Sequence, residues 1–329
     1  MASRGRLTVG RLAFPPGRIA AEAGAHHDNM TRPFGLPVRH LVLAVFVAAI
    51  WGSNFIVVKT ALDVMPPVLM ATLRFLVAAV PAVLVLPRPA VPTREIAAYG
   101  LLIGTGQFGL MYIAMNGYIS PGLASLVIQM QVFFTVGLAV WLLGEKPRTY
   151  QMAALLTSFA GIAVIAMHTD RYTSAAGLAL VLVAAMSCAG GNLVARRAGR
   201  VNMLSYMAWS SLYAVPPLLL LSLVVEGPAQ VWGGIMAANA GAWAAVLWQS
   251  IANTLFGYGA WAWLLARYPV ATIAPTALLV PVFGLGGAAV WLGERLHAWK
   301  MMAAALVILG LGINVLWPRT RSLLAGRPH

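Results

Sequence analysis

A chain of 329 residues in which 60% are apolar and only 9% are charged cannot cover itself with a water-soluble surface, because soluble domains keep about a quarter of their residues charged. The formal charge of +14, from 22 Lys and Arg against 8 Asp and Glu, would suit a nucleic-acid binder. The basic residues, however, are confined to the termini and to alternate short loops, which is how a polytopic membrane protein is oriented; nucleic acid is excluded as a partner. The single cysteine, Cys188, rules out an intrachain disulfide and a multi-thiol metal site.

Ten apolar stretches have the length, about 20 residues, that crosses roughly 30 Å of hydrocarbon as a helix. Irregular backbone is not tolerated against lipid, so all ten are predicted to be helical. The first, 40–62, carries Trp51, Asn54 and, about one turn inside its end, Lys59. The second, 66–87, places Arg74 near its middle, and the third, 95–116, contains Gln107. Next come 121–143, with Gln129 and Gln131, the featureless 149–168, and 175–196, with Cys188 and Asn192. After 203–225, the stretch 242–266 sets Gln249, Asn253, Thr254, Tyr258 and Trp261 at spacings of three to four, hence on one helical face. The stretches 270–292 and 298–317 complete the set. Ten such spans leave only short loops between Val38 and Trp317, none able to hold a domain.

Seventeen Lys and Arg outside the spans fall on one side, against Arg171, Arg295 and Lys300 on the other, which predicts both termini in the cytoplasm. Residues 1–37 are Arg-rich, without a signal-peptide core or a twin-arginine pair. They form either a cytoplasmic, disordered N-terminal segment or a stretch preceding a true start at Met30; the second is favoured, because nothing before Met30 has a structural pattern.

The two halves resemble each other. AVWLLGEKPRTYQMAALLTSFAG at 139–161 matches AVWLGERLHAWKMMAAALVILG at 289–310, pairing Glu145 with Glu294 and Gly161 with Gly310, while Asn54 and Lys59 correspond to Asn192 and Arg197. The prediction is an all-α, polytopic membrane protein of ten transmembrane helices, built as a first repeat at 38–168 and a second at 174–317, with a cytoplasmic tail at 318–329. Five helices per repeat force the second copy to enter from the opposite face, so the repeats are inverted, a hallmark of secondary transporters.

Several motifs carry a family resemblance over nearly everything after Val38: Trp51-Gly52 with Asn54-Phe55, Gln129-x-Gln131-x-Phe133-Phe134-Thr135, Gly144-Glu145, Gly257-Tyr258-Gly259 and Leu279-Val280-Pro281-Val282. In these the chain resembles the EamA family of the drug/metabolite transporter superfamily. The resemblance implies export of small amino-acid metabolites, of the cysteine and O-acetylserine class, across the bacterial cytoplasmic membrane by alternating access. A broader exporter of aromatic amino acids, drugs or other metabolites is the alternative.

Ionisable groups deep in a membrane cost a few kcal/mol and are functional candidates by default. Arg74 qualifies by depth and offers a bidentate fork for a substrate carboxylate; the plainer reading has it bonded to neighbouring helices, and Lys59 snorkelling to the interface. The substrate-binding candidates are Arg74, Lys59, Asn54, Gln107, Gln129, Gln131, Asn192, Tyr258 and Trp261. Glu145 and Glu294 read as interfacial caps and salt-bridge partners; no carboxylate lies deep in a span. His168, His297 and Cys188 are scattered, so neither an enzyme nor a metal or cofactor site is expected. Partners are a small-molecule substrate and the bilayer; a homo-oligomer stays open.

Overall fold

Helix follows helix through a computed structural model of the chain, which describes residues 36–168, 173–199 and 201–324. The N-terminal segment with Met30, together with Arg171, Arg200 and residues 325–329, lies outside the described residues. Among those described the helices are α1 (Val38–Leu62), α2 (Pro67–Val85), α3 (Thr93–Met115), α4 (Pro121–Leu142), α5 (Thr149–Met167), α6 (Ala175–Ala198) and α7 (Met203–Val225). There follow α8 (Pro228–Ala237), α9 (Ala240–Arg267), α10 (Ala274–Trp291) and α11 (Ala298–Leu324). Nine of them are long and apolar enough to cross a membrane, and α8 with α9, bent by 101°, brings the number to ten.

The sequence reading had no α8. It is only 10 residues long, held between Gly227 at φ 83° and Asn239, with Pro228 at its first turn, so a search for membrane-length runs passes over it. At the other end of the chain, helix continues past the expected 317 to Leu324.

Chain termination and packing repeat in both halves. α4 stops at Gly144 (φ 68°) and α10 is followed by Gly293 (φ 65°). After each glycine a glutamate N–H reaches back six residues, Glu145 to the Ala139 carbonyl and Glu294 to that of Ala288, the Schellman arrangement that a left-handed glycine makes possible. With α8 and α9 counted as one span, the third span of each half contains a π-helical stretch, Leu101–Gly109 in α3 and Trp248–Phe256 in α9. The fourth of each has a 3₁₀ turn, Ile128–Met130 in α4 and Ala274–Leu278 in α10.

Packing follows the same pairing: α2 lies on α7, α5 on α11, α3 on α7 and α9 on α2. Lipid tails are as apolar as leucine, so helices in a membrane associate through close packing of small residues rather than by escape from water. Gly161 and Gly310 do this reciprocally. A Cβ on Gly161 would stand 2.9 Å from the Ala303 carbonyl oxygen, and one on Gly310 2.6 Å from that of Ala154.

Apolar side chains also form the exposed surface. Leu84, Val85, Trp141 and Trp291 are at least three-quarters exposed, a surface suited to lipid. Trp141, Trp291 and Trp317 are exposed as expected of interfacial anchors, whereas Trp299 is partly buried and stacked on His168 at 5.2 Å.

Candidate functional site

Arg74 is fully buried in the middle of α2, between Leu73 and Phe75. An arginine there loses its hydration, a penalty of several kcal/mol that persists unless its five N–H groups find acceptors. α3 and α9 supply acceptors for four of the five. Nη1 donates to the Tyr112 hydroxyl at 2.8 Å, Nη2 to Asn253 Oδ1 at 2.9 Å and Thr254 Oγ1 at 3.0 Å, and Nε to the same Thr254 oxygen at 3.3 Å. The guanidinium carbon sits 3.7 Å from the Phe108 ring centre, a cation–π contact strengthened by the dry surroundings. Ser250 Oγ donates to the Arg74 carbonyl at 2.8 Å.

The π-helical stretch of α9 explains how one helix presents so many polar groups. In an α-helix residues five apart diverge, but the i to i+5 repeat of a π-helix stacks them. Thr254 Oγ1 accordingly donates to the Gln249 carbonyl at 2.8 Å. Gln249, Asn253 and Thr254 thus crowd the same side, and all three are buried. Tyr112, having accepted from Arg74, donates its own proton to Gln249 Oε1 at 2.7 Å.

Asn253 joins this network to an aromatic cluster. Its carbonyl accepts from Trp51 Nε1 at 3.2 Å, and the Trp51 ring lies 5.4 Å from that of Tyr258 and 5.2 Å from that of Trp261. The predicted polar face of α9 is therefore one continuous surface, met by α2 and α3 at Arg74 and Tyr112 and by α1 at Trp51.

The other candidates divide. On the seam between α4 and α6, Cys188 donates to Gln131 Oε1, and Asn192, which is exposed, donates to Thr135 at 3.3 Å. Gln129, Gln107 and Asn54 are buried. Asn54 Oδ1, Gln107 Oε1 and Gln249 Nε2 have no hydrogen-bond partner among the described residues. Lys59 stands apart from Arg74, paired with Asp63 at 2.6 Å, one turn along α1.

Lys59 and Asp63 line a cavity of about 730 Å³ with Ser120, Glu294, Arg295, His297 and Lys300. Glu294 is its most tightly held acid. It pairs with Lys300 at 3.0 Å, accepts from Ser120 Oγ, and accepts the Gly122 N–H at 3.1 Å, so it caps α4. Glu145, its counterpart in the first half, instead pairs with Arg196 at 2.7 Å in an exposed position. Neither glutamate pairs with the basic residue beside it, Lys146 or Arg295.

Two further repeat-related pairs, on α1 and α6, differ in the same sense. Asn54 is buried where Asn192 is exposed. A Cβ on Gly52 would meet the Val280 carbonyl of α10 at 2.6 Å, whereas one on the related Gly190 would meet only Leu102 methyls, at 3.5 Å.

Sequence reasoning missed Tyr112, Phe108 and Trp51 as partners of the Arg74 network, though a tyrosine in a span is a legible sign of a polar requirement. It also missed Glu226. That carboxylate accepts from the Val68 and Leu69 N–H groups at 2.6 and 3.0 Å and from Ser222 Oγ at 2.6 Å, closing the start of α2.

Comparison with known proteins adds an independent set of findings. The model of the EamA-like transporter family matches residues 39–167 and 175–316. A probable amino-acid metabolite efflux pump of Salmonella typhimurium is 38% identical over 285 residues, covering 85% of this chain and 95% of that protein. Its namesake in Escherichia coli is 36% identical, covering 85% and 96%. A probable terminal-alkyne amino-acid exporter of Streptantibioticus cattleyicolor is 28% identical, covering 81% and 90%. One crystal structure has the same fold, with a TM-score of 0.57, 18% identity, and coverage of 85% of this chain and 97% of that one.

Proposed function

Because the chain belongs to the EamA-like transporter family, we propose that it exports small amino-acid metabolites of the cysteine and O-acetylserine class across the cytoplasmic membrane by alternating access. It is a multi-pass membrane transporter and not an enzyme. The observation that carries the substrate reading is Arg74: a fully buried cation whose bonded partners are all neutral, with no carboxylate in ion-pair range among the described residues. A substrate carboxylate is the missing charge, and a bulky cation would meet repulsion at low dielectric. The printed names of the two efflux pumps and of the alkyne amino-acid exporter support the same class.

Asn54, Gln107, Gln129, Gln131, Asn192, Tyr258 and Trp261 are proposed to line the path, and Lys59 to sit at its outer mouth. The basic asymmetry supports cytoplasmic termini, which puts the Glu294 end outside. Alternating access draws support from the repeats: both Schellman glutamates reach the opposite repeat, but Glu294 does so buried and capping α4 whereas Glu145 does so only through an exposed ion pair with Arg196, and exchanging the two arrangements would exchange the open end. The second reading, an exporter of aromatic amino acids, is favoured by the ring cluster of Trp51, Tyr258 and Trp261.

Overexpression in a bacterium tests the reading. Cysteine and O-acetylserine should rise in the medium against a vector control, Arg74→Ala at equal abundance should abolish the rise, and Arg74→Lys should restore only part of it, since an ammonium lacks the planar fork. Unchanged levels of both with clear efflux of an aromatic amino acid would move the assignment to the second reading.

A further inference from the structure

The hydrogens of the Arg74 network have only one consistent arrangement. The Tyr112 oxygen accepts from Arg74 Nη1, so its own proton goes to Gln249 Oε1. Turning the Gln249 amide over would set its NH₂ against the phenol and leave the phenol proton without that acceptor. The carbonyl oxygen of Gln249 is therefore committed to Tyr112, and Nε2, on a fully buried side chain, is left with no acceptor among the described residues.

Two shortages meet at this point. A guanidinium has no anion, and one phenol oxygen away an amide has no acceptor. Buried donors are ordinarily paired, and a neutral acceptor would satisfy the amide while leaving the charge unanswered. A carboxylate answers both, with one oxygen on the guanidinium and the other on the amide.

We propose that Gln249 is a specificity-determining residue: with Arg74 it receives the substrate's carboxylate, so that the transporter takes molecules with a free carboxylate and rejects those lacking one. This rests on the amino-acid exporter reading above. The side chain is fixed for the task at both ends, since Thr254 holds its backbone carbonyl and Tyr112 its side-chain oxygen. In the sequence it is merely the first polar residue of the α9 face.

Gln249→Glu is the informative variant. It keeps the shape and the acceptor for Tyr112, but puts an anionic oxygen where the free donor was and gives Arg74 an internal partner. In proteoliposomes, labelled cysteine counterflow should fall roughly tenfold or more, at a folded yield equal to or above that of the unaltered protein. Cysteamine, which is cysteine without its carboxylate, should be a poor substrate of the unaltered protein and a better one of the variant. Cysteine should also raise the melting temperature of the unaltered protein alone.

Equal handling of cysteine by Gln249→Glu and the unaltered protein would overturn the proposal while leaving the exporter reading intact. So would equal transport of cysteine and cysteamine by the unaltered protein, a measurement that needs no variant to fold. If the unaltered protein neither transports nor is stabilised by cysteine or any other amino acid, the exporter reading itself fails and this proposal falls with it.

Discussion

Lys59 and Lys300 line the same cavity, and both are paired with an acid, yet the two pairs differ in what water can do for them. Lys59 and Asp63 are 35% and 63% exposed in their side chains, whereas Lys300 and Glu294 are 3% and 9% exposed. An exposed pair one turn apart contributes about 0.5 kcal/mol at most, because solvent takes over from either partner. Removing one member of a buried pair strands the other charge and costs about 3–5 kcal/mol; here it would also disturb the acid that caps α4. Lys300→Ala should therefore lower the midpoint of detergent or thermal unfolding far more than Lys59→Ala. Similar losses in the two variants would mean that Glu294 is not held by Lys300. The sequence could not separate these lysines: both stand close to helix ends, and burial of Lys300 is decided by where α4 begins.

At the level of the helices, periodicity and length gave the ten spans and the duplicated termination signals, because both are local properties of the chain. What escaped was set by partners remote in sequence. α8 is too short for a hydropathy signal and lies against α2, where a Cβ on Gly234 would collide with Pro66. Glu226 looks like a loop acid until α2 is brought to it. The polar face of α9 was legible in outline, but a 3.6-residue repeat does not foretell that Asn253 and Thr254 both reach Arg74; that required the π-helical stretch. Helix contacts also make a matched prediction. Gly310 faces the Ala154 carbonyl across the α5–α11 seam, whereas a Cβ on Gly312 meets nothing within 4 Å. Gly310→Ala should force the helices apart at a cost of about 1–3 kcal/mol and reduce folded yield. Gly312→Ala should be neutral or gain up to about 1 kcal/mol from helix propensity. Equal yields from the two would show that the seam yields freely.

Across the whole transporter, the two halves use the same parts in different settings, and the difference has one direction. Glu294 caps α4 while Glu145 turns to Arg196; Asn54 is shut in while Asn192 is exposed; Gly52 is pressed on α10 while Gly190 touches only leucine methyls. Three repeat-related pairs that agree point to a molecule closed at the Glu294 end, with the Lys59–Glu294 cavity as a vestibule outside the closure, as the proposed exporter would be if it waited for substrate from the cytoplasm. Cysteine labelling tests this in a Cys188→Ser background, which keeps a donor for Gln131. With a water-soluble maleimide supplied to both faces, Asn192→Cys should react at least roughly tenfold faster than Asn54→Cys, a ratio that corresponds to about 1.4 kcal/mol. Adding Glu294→Gln should narrow that gap by speeding Asn54→Cys, since the neutral amide gives up the Lys300 ion pair and shifts the population toward the state opened at that end. Labelling of Asn54→Cys as fast as Asn192→Cys without the added substitution would mean the Glu294 end is not the closed one. A gap unaltered by Glu294→Gln would mean that the glutamate caps α4 without governing access.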